Sequence, residues 1–174
     1  DLPLAAAKLG KVSFDVDDLP RPTLRDGRAL DRAATESLLA LLQKAPERGV
    51  VLPDGLRDAL DPTSARDFAW SLFSLWRVTD GSAKEKWALS AVATFGDDTC
   101  ARALGPHVRE WAVSNHTRAQ HALAVLGVIG TDVALMEIHR ASEKIRQEST
   151  RASAAGLIRH IAASRGLTGD ELAE

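Results

Sequence analysis

The sequence predicts an all-α fold, a stack of helical hairpins preceded by an irregular N-terminal arm. Three observations carry that prediction. From Asp31 onward apolar residues recur with a helical period. Two stretches 34 residues apart, "KEKWALSAVATFGDD" (84–98) and "RAQHALAVLGVIGTD" (118–132), share one layout of apolar helix, glycine stop and aspartate restart. Residues 1–30, by contrast, hold Pro3, Pro20 and Pro22 and show no sustained helical stripe.

In the arm, residues 1–30, "KVSFDV" (11–16) alternates apolar and polar residues and fits either a short strand or an extended segment. "RDGR" (25–28) reads as a turn, because Asp-Gly readily supplies a positive φ. Leu19, Leu24 and Leu30 are the expected anchors onto the helical part, residues 31–174. The first helix is expected over about 31–45, with Leu38, Leu39, Leu41 and Leu42 crowding one side, and with Pro46 and then Gly49 beyond it. "LPDGLRDALD" (52–61) fits a short helix. Asp61-Pro62 opens the next, since proline is tolerated where the N–H has no helical partner. Phe68, Leu72, Leu75 and Trp76 form its stripe, widened by Trp70 and Phe73, and "TDGS" (79–82) breaks it.

Ser82 with Glu85 has capping-box spacing ahead of a helix through Trp87, Leu89, Val92 and Phe95. Gly96 is expected to end that helix in the left-handed conformation, and Asp97 or Asp98 to cap the next, which carries Cys100, Leu104, Val108 and Trp111. Pro106 lies inside that pattern and predicts a kink or a break near Gly105.

Setting residue i against i+34 pairs Trp87 with His121, Leu89 with Leu123, Val92 with Leu126 and Phe95 with Ile129. It also pairs Gly96 with Gly130, Asp98 with Asp132 and Leu104 with Ile138. A fainter third copy has Leu157, Ile158 and Ile161, a stop at Gly166 and a restart at Thr168 with Glu171 as its box partner. One such hairpin leaves apolar surface bare, and stacking hairpins covers it. Gly96, Asp98, Gly130 and Asp132 are therefore read as structural turns. Ala88, Ala122, Gly127 and Gly130 are small enough to let neighbouring backbones approach.

"ALAVLGVIGTDVALMEI" (122–138) resembles a HEAT-type repeat, which implies a HEAT-like α-α superhelix. The stretches "DFAWSLFSLW" (67–76), "KEKWALSAVATFGDD" (84–98), "GTDVALMEIHRASEKI" (130–145) and "AASRGLTGDELAE" (162–174) are also similar to the helical segment of large bacterial WGR-domain, molybdate metabolism regulator-like proteins. Those carry a C-terminal domain of unknown function. That resemblance spans about residues 20–174. It implies a HEAT-like array inside a longer chain, and it supplies no catalytic motif.

Composition bounds the chemistry. The 174 residues have a net charge of −2, 45% hydrophobic and 26% charged residues, so nothing drives the whole chain toward nucleic acid or an anionic membrane. Residues 84–165 hold 11 basic and 8 acidic side chains, while the tail from Gly166 has Asp170, Glu171 and Glu174. A single cysteine, Cys100, rules out an internal disulfide and a cysteine-ligated zinc site. No apolar run approaches the roughly 20 residues of a membrane span, and the N-terminus lacks the pattern of a secretory signal. The expectation is a cytoplasmic chain with no membrane contact, excised from a larger protein, since it starts on Asp rather than Met.

Candidate sites are few. His116 and His121 are five apart, not the four of a helical metal-binding pair, and His139 and His160 lack partners at useful spacing. Cys100 near a helix start, with His107 seven residues on, has the outline of an activated thiol, but its place in the apolar stripe reads as core. "GVIGTD" (127–132) lacks phosphate-loop spacing, and the pairs Asp17/Asp18 and Asp97/Asp98 read as loop charges and caps. No catalytic residue, metal or cofactor is expected. Trp70, Trp76, Trp87 and Trp111 read as packing residues, with any exposed one a binding anchor.

The basic run 139–165, with Arg140, Lys144, Arg146, Arg151, Arg159 and Arg165, supplies candidate partner-binding residues, Arg140, Lys144, Arg151 and Arg159 foremost. The sequence reading is a non-catalytic interaction or scaffold module, turned toward a protein partner or another domain of its parent chain. Nucleic-acid binding through the basic ridge is one alternative, and an accessory domain of an enzyme is another.

Overall fold

The computed structural model is all-helical and describes residues 2–44, 49–79, 81–164 and 166. Pro46, Asp80, Arg165, Thr168, Asp170, Glu171 and Glu174, all named above, lie outside the described residues. The chain forms two compact units, Asp1–Gly96 and Asp97–Glu174.

The first unit contains α1 (Arg32–Gln43), the single turn α2 (Leu56–Ala59), α3 (Pro62–Val78) and α4 (Trp87–Phe95). Of its helices, α1 and α3 start where a side chain satisfies otherwise unpartnered N–H groups. Asp31 accepts from Ala34 N and Asp61 from Ser64 N, with Pro62 in the first turn of α3. Packing of α4 against α3 and α1 buries Leu38, Leu39, Leu42, Phe68, Leu72, Phe73, Trp76, Leu89 and Val92 almost completely. Phe73 lies between Trp70 and Trp76, with ring centroids 4.9 and 6.0 Å away. The Trp76 indole N–H donates to the Ser82 carbonyl at 2.9 Å.

Among its described residues the N-terminal arm forms no strand. It lies against the helices by hydrogen bonds: Ala7 N to Ser37 Oγ at 3.2 Å and Gly10 N to Gln43 Oε1 at 2.8 Å. Farther on, Thr23 N donates to Ser64 Oγ at 2.8 Å and Asp61 N to the Thr23 carbonyl at 2.9 Å. "KVSFDV" fails as a strand because its backbone groups have no neighbouring strand to pair with, and a turn of 3-10 helix, Val16–Asp18, follows instead. Leu19 and Leu30 are buried as expected, while Leu24 is half-buried, and Phe14 is a further anchor, its ring 6.2 Å from that of Trp87. The "RDGR" turn forms, with Gly27 at φ 89°. Hydrogen bonding from the Arg28 backbone N–H and then its side chain, partly opposed by desolvation, holds the Asp26 carboxyl below its ordinary range. Bonds to Asp17 and then Glu36 raise the pKa of Arg32.

Glu85 is not a capping-box partner. Ser82 accepts from Lys84 N over the short turn Ala83–Glu85, while the buried Glu85 carboxylate accepts from Ser13 N at 2.6 Å and from Ser13 Oγ. A buried carboxylate needs donors, and the arm supplies them.

The second unit contains α5 (Asp98–Ser114), α6 (His116–Ile129), α7 (Asp132–Ser142) and α8 (Glu148–Ser164). Each helix packs on the next in sequence, and α5 also packs on α7 and α6 on α8. Four of the pairs related by the 34-residue offset are buried alike, Trp87 and His121, Leu89 and Leu123, Val92 and Leu126, Leu104 and Ile138, whereas Phe95 is buried and Ile129 only half-buried.

Two details of the corners differ from expectation. Gly96 is extended, φ −71° and ψ 155°, whereas Gly130 is left-handed at φ 64°. A Cβ on Gly96 would lie 2.2 Å from the Val92 carbonyl oxygen, so glycine serves there by leaving room rather than by adopting positive φ. Of the two aspartates expected to cap α5, Asp97 does so, accepting from Thr99 N and Cys100 N; at α7 the cap is Thr131, which accepts from Ala134 N, so Asp98 and Asp132 are first-turn carboxylates.

Pro106 does not break α5, which is continuous through it. Gly105 lacks the Cβ that a following proline ring would crowd, so the helix passes at the cost of one backbone hydrogen bond.

Because Asp97 is the cap, Asp97→Ala should lower stability by about 1 kcal/mol. Asp98→Ala should cost about half of that or less, since it removes only a charge near the helix start. Urea denaturation of both variants reads the order.

Candidate functional site

The most elaborate polar arrangement lies in the second unit and was not expected from the sequence. Glu137 occupies a core-facing position of α7, in line with Ala134, Ile138 and Ala141, and is only 5% exposed. Its carboxylate accepts from Arg109 on α5 at 2.9 Å and from Arg140 on its own helix at 3.2 Å. Gly105 makes the room: a Cβ there would stand 1.9 Å from Glu137 Oε2. Gly105 and Arg109 are four apart on α5, so one helix face offers a gap and a cation together. The legible signals were a glutamate on an apolar stripe and a Gly-Pro inside a helix, and nothing in the spacing joined them.

A parallel approach links α6 and α8, where a Cβ on Gly127 would lie 2.8 Å from Leu157 Cδ2. Gly127 thus leaves room for the Leu157 side chain.

The candidate partner-binding residues stand at the surface of α7 and α8 and the segment between them. Arg140, Lys144, Arg151 and Arg159 are all exposed. Arg140 is engaged with Glu137, so it belongs to the clamp as much as to the surface. Lys144, Arg151 and Arg159 make no ion pair among the described residues. Met136 and Val113 are exposed on this unit as well, at 54% and 71%.

The other sequence candidates take structural places. Cys100 is buried at 2% exposure in α5, and the His107 ring stacks on Trp111, centroids 5.8 Å apart. The Arg118 guanidinium lies over the same Trp111, 5.4 Å from a ring centroid. Trp76, Trp87 and Trp111 are buried and Trp70 is half-buried, which matches the packing role. His121 is buried, while His139 and His160 are exposed. Among the described residues, no three His, Cys, Asp or Glu side chains are grouped to hold a metal ion, and no helix is long and apolar enough to cross a membrane.

Two clefts among the described residues of the first unit are lined by charged side chains. A broad one of about 660 Å³ is lined by Leu24, Arg25, Asp26, Arg28 and Asp31 among others. A smaller one of about 250 Å³ is lined by Arg25, Arg57, Asp58, Leu60, Pro62, Ala65 and Phe95. The second was not legible in the sequence, since its arginines are 32 residues apart and come to line one cleft as residues 24–25 pair with 59–60.

The chain is similar to the uncharacterized protein YehI of Escherichia coli strain K12, 32% identical over 120 residues. That match takes in 68% of this chain and 10% of the relative, so the chain spans about a tenth of that protein's length. No family model matches the chain. No solved structure matches it either.

Removing either arginine from the clamp should have unequal effects. Arg109→Ala leaves a buried carboxylate with its weaker partner and should cost about 2–3 kcal/mol. Arg140→Ala removes an exposed guanidinium and should cost under about 1 kcal/mol. Equilibrium denaturation of the two variants checks this.

Proposed function

We propose that this chain is a non-catalytic interaction module within a larger bacterial protein. It is a HEAT-like stack that presents a helical surface to a protein partner or to another domain of its parent. The observation that carries the reading is the alternation in the second unit, α5 on α7 and α6 on α8. Stacking of that kind extends by adding helices and leaves one row of side chains free on each layer. The similarity to a short stretch of a much longer protein supports a place inside a large chain. Membership of the WGR-associated regulator-like group, on the motifs quoted above, belongs to the same proposal.

The surface is assigned to Lys144, Arg151 and Arg159, with Arg140 beside them. Such a basic face suits an acidic partner surface, where charge complementarity speeds encounter and sets register. Nucleic acid is the second reading, favoured by the same unpaired cations.

The test uses affinity capture from cell extract, with the remainder of the parent chain supplied as a separate purified piece. The chain and its Lys144→Glu/Arg151→Glu/Arg159→Glu variant serve as parallel baits. A partner held by the first and weakened at least tenfold on the second is the expected result. Identical capture by both contradicts the basic face, and no capture by either contradicts the module. For the second reading, a gel shift at low salt that fades as salt rises is expected, and no shift at low salt removes it.

A further inference from the structure

The small cleft of the first unit is lined by two exposed arginines, each tethered by a side-chain hydrogen bond. Arg25 donates through Nε to the Asp58 carbonyl at 2.6 Å, and its backbone N–H donates to the Ala59 carbonyl at 3.0 Å. Arg57 donates through a terminal nitrogen to the Thr94 carbonyl at 2.9 Å. Thr94 is itself buried, and its hydroxyl accepts from Val50 N at 3.1 Å, so the acceptor is rigidly mounted. Each guanidinium has five N–H donors, and these bonds use one from each. Neither arginine makes an ion pair among the described residues. An arginine held this way has already lost much of its rotamer freedom, so binding a further acceptor costs less.

The rest of the lining selects the ligand. Leu60, Pro62, Ala65 and Phe95 make an apolar wall. Two arginines against the Asp58 carboxylate leave one net positive charge, which suits a monoanion better than a phosphate dianion. A volume of about 250 Å³ lies at the small end for ligand sites and accommodates one side chain or a small acid. Arginine matches a carboxylate with two parallel N–H donors.

We infer that this cleft binds a monocarboxylate on a short apolar stem, the chemistry of a single glutamate side chain of a partner peptide. The site is separate from the basic face of the second unit. Its test uses small probes, so either proposal can fail without the other.

The experiment follows the Arg25 and Arg57 Nε–Hε signals by NMR in the intact chain. The probes are N-acetyl-glutamate N-methylamide, the corresponding glutamine compound and inorganic phosphate. Saturable shifts with the glutamate probe are expected, with at least tenfold weaker binding of the glutamine compound and of phosphate. Arg25→Gln should weaken the glutamate probe at least tenfold. Asp58→Asn should tighten it severalfold by removing a like charge, a gain that general destabilisation does not produce. An equal response to the glutamine compound, phosphate binding as tight as the carboxylate, unchanged binding in Arg25→Gln, or no saturable shift would each overturn the assignment.

Discussion

Two glycines of the second unit leave gaps that side chains of alternate helices fill. At Gly105, α5 leaves a gap that the Glu137 carboxylate of α7 fills, and at Gly127, α6 leaves one for Leu157 of α8. Packing of this closeness fixes register, because protein interiors tolerate neither voids nor overlap. The carboxylate adds direction to the first contact: it is buried, so it needs donors, and Arg109 one turn along α5 supplies the principal one. Sliding α7 along α5 would strand the charge. The first unit solves a similar problem with Glu85, whose donors come from Ser13 in the arm. In both units a buried carboxylate ties together elements that apolar contact alone would leave free to slip.

Much of the fold was legible in the sequence because its signals are local. Asp61-Pro62 at the start of α3, the stripe from Phe68 to Trp76 and the glycine stops at 96 and 130 all act within one or two helical turns. The 34-residue offset also relates several pairs of buried residues, though Phe95 is buried and Ile129 only half-buried. What escaped was non-local or steric. Asp97 rather than Asp98 caps α5 because the cap is decided by which side chain reaches back to free N–H groups, and neighbouring aspartates look alike in a sequence. Gly96 looked like a left-handed stop, yet it answers to the Val92 carbonyl oxygen. Pro106 looked like a break, and the absent Cβ of Gly105 lets the helix continue.

The candidate sites were less legible than the fold. The basic residues 140–159 could be named from the chain, but Arg140 turned out to share the Glu137 clamp. The cleft formed by Arg25 and Arg57 depends on the pairing of the arm with residues 59–60, a contact between segments with no pattern in common. The two surfaces differ in kind. Exposed cations on α8 and the segment before it attract by long-range field, screened by salt over about 8 Å at physiological ionic strength. The tethered arginines of the cleft select by shape and by paired donors.

The claim that close approach at Gly105 registers α5 against α7 is tested most directly by the coupling between two substitutions. Gly105→Ala, Glu137→Ala and the double variant are compared by urea denaturation. Alanine before Pro106 carries its own cost, which the cycle cancels. The account predicts that Gly105→Ala costs at least about 1 kcal/mol more when Glu137 is present than when it is absent, within the range for residues in contact. Equal costs in the two backgrounds would contradict it.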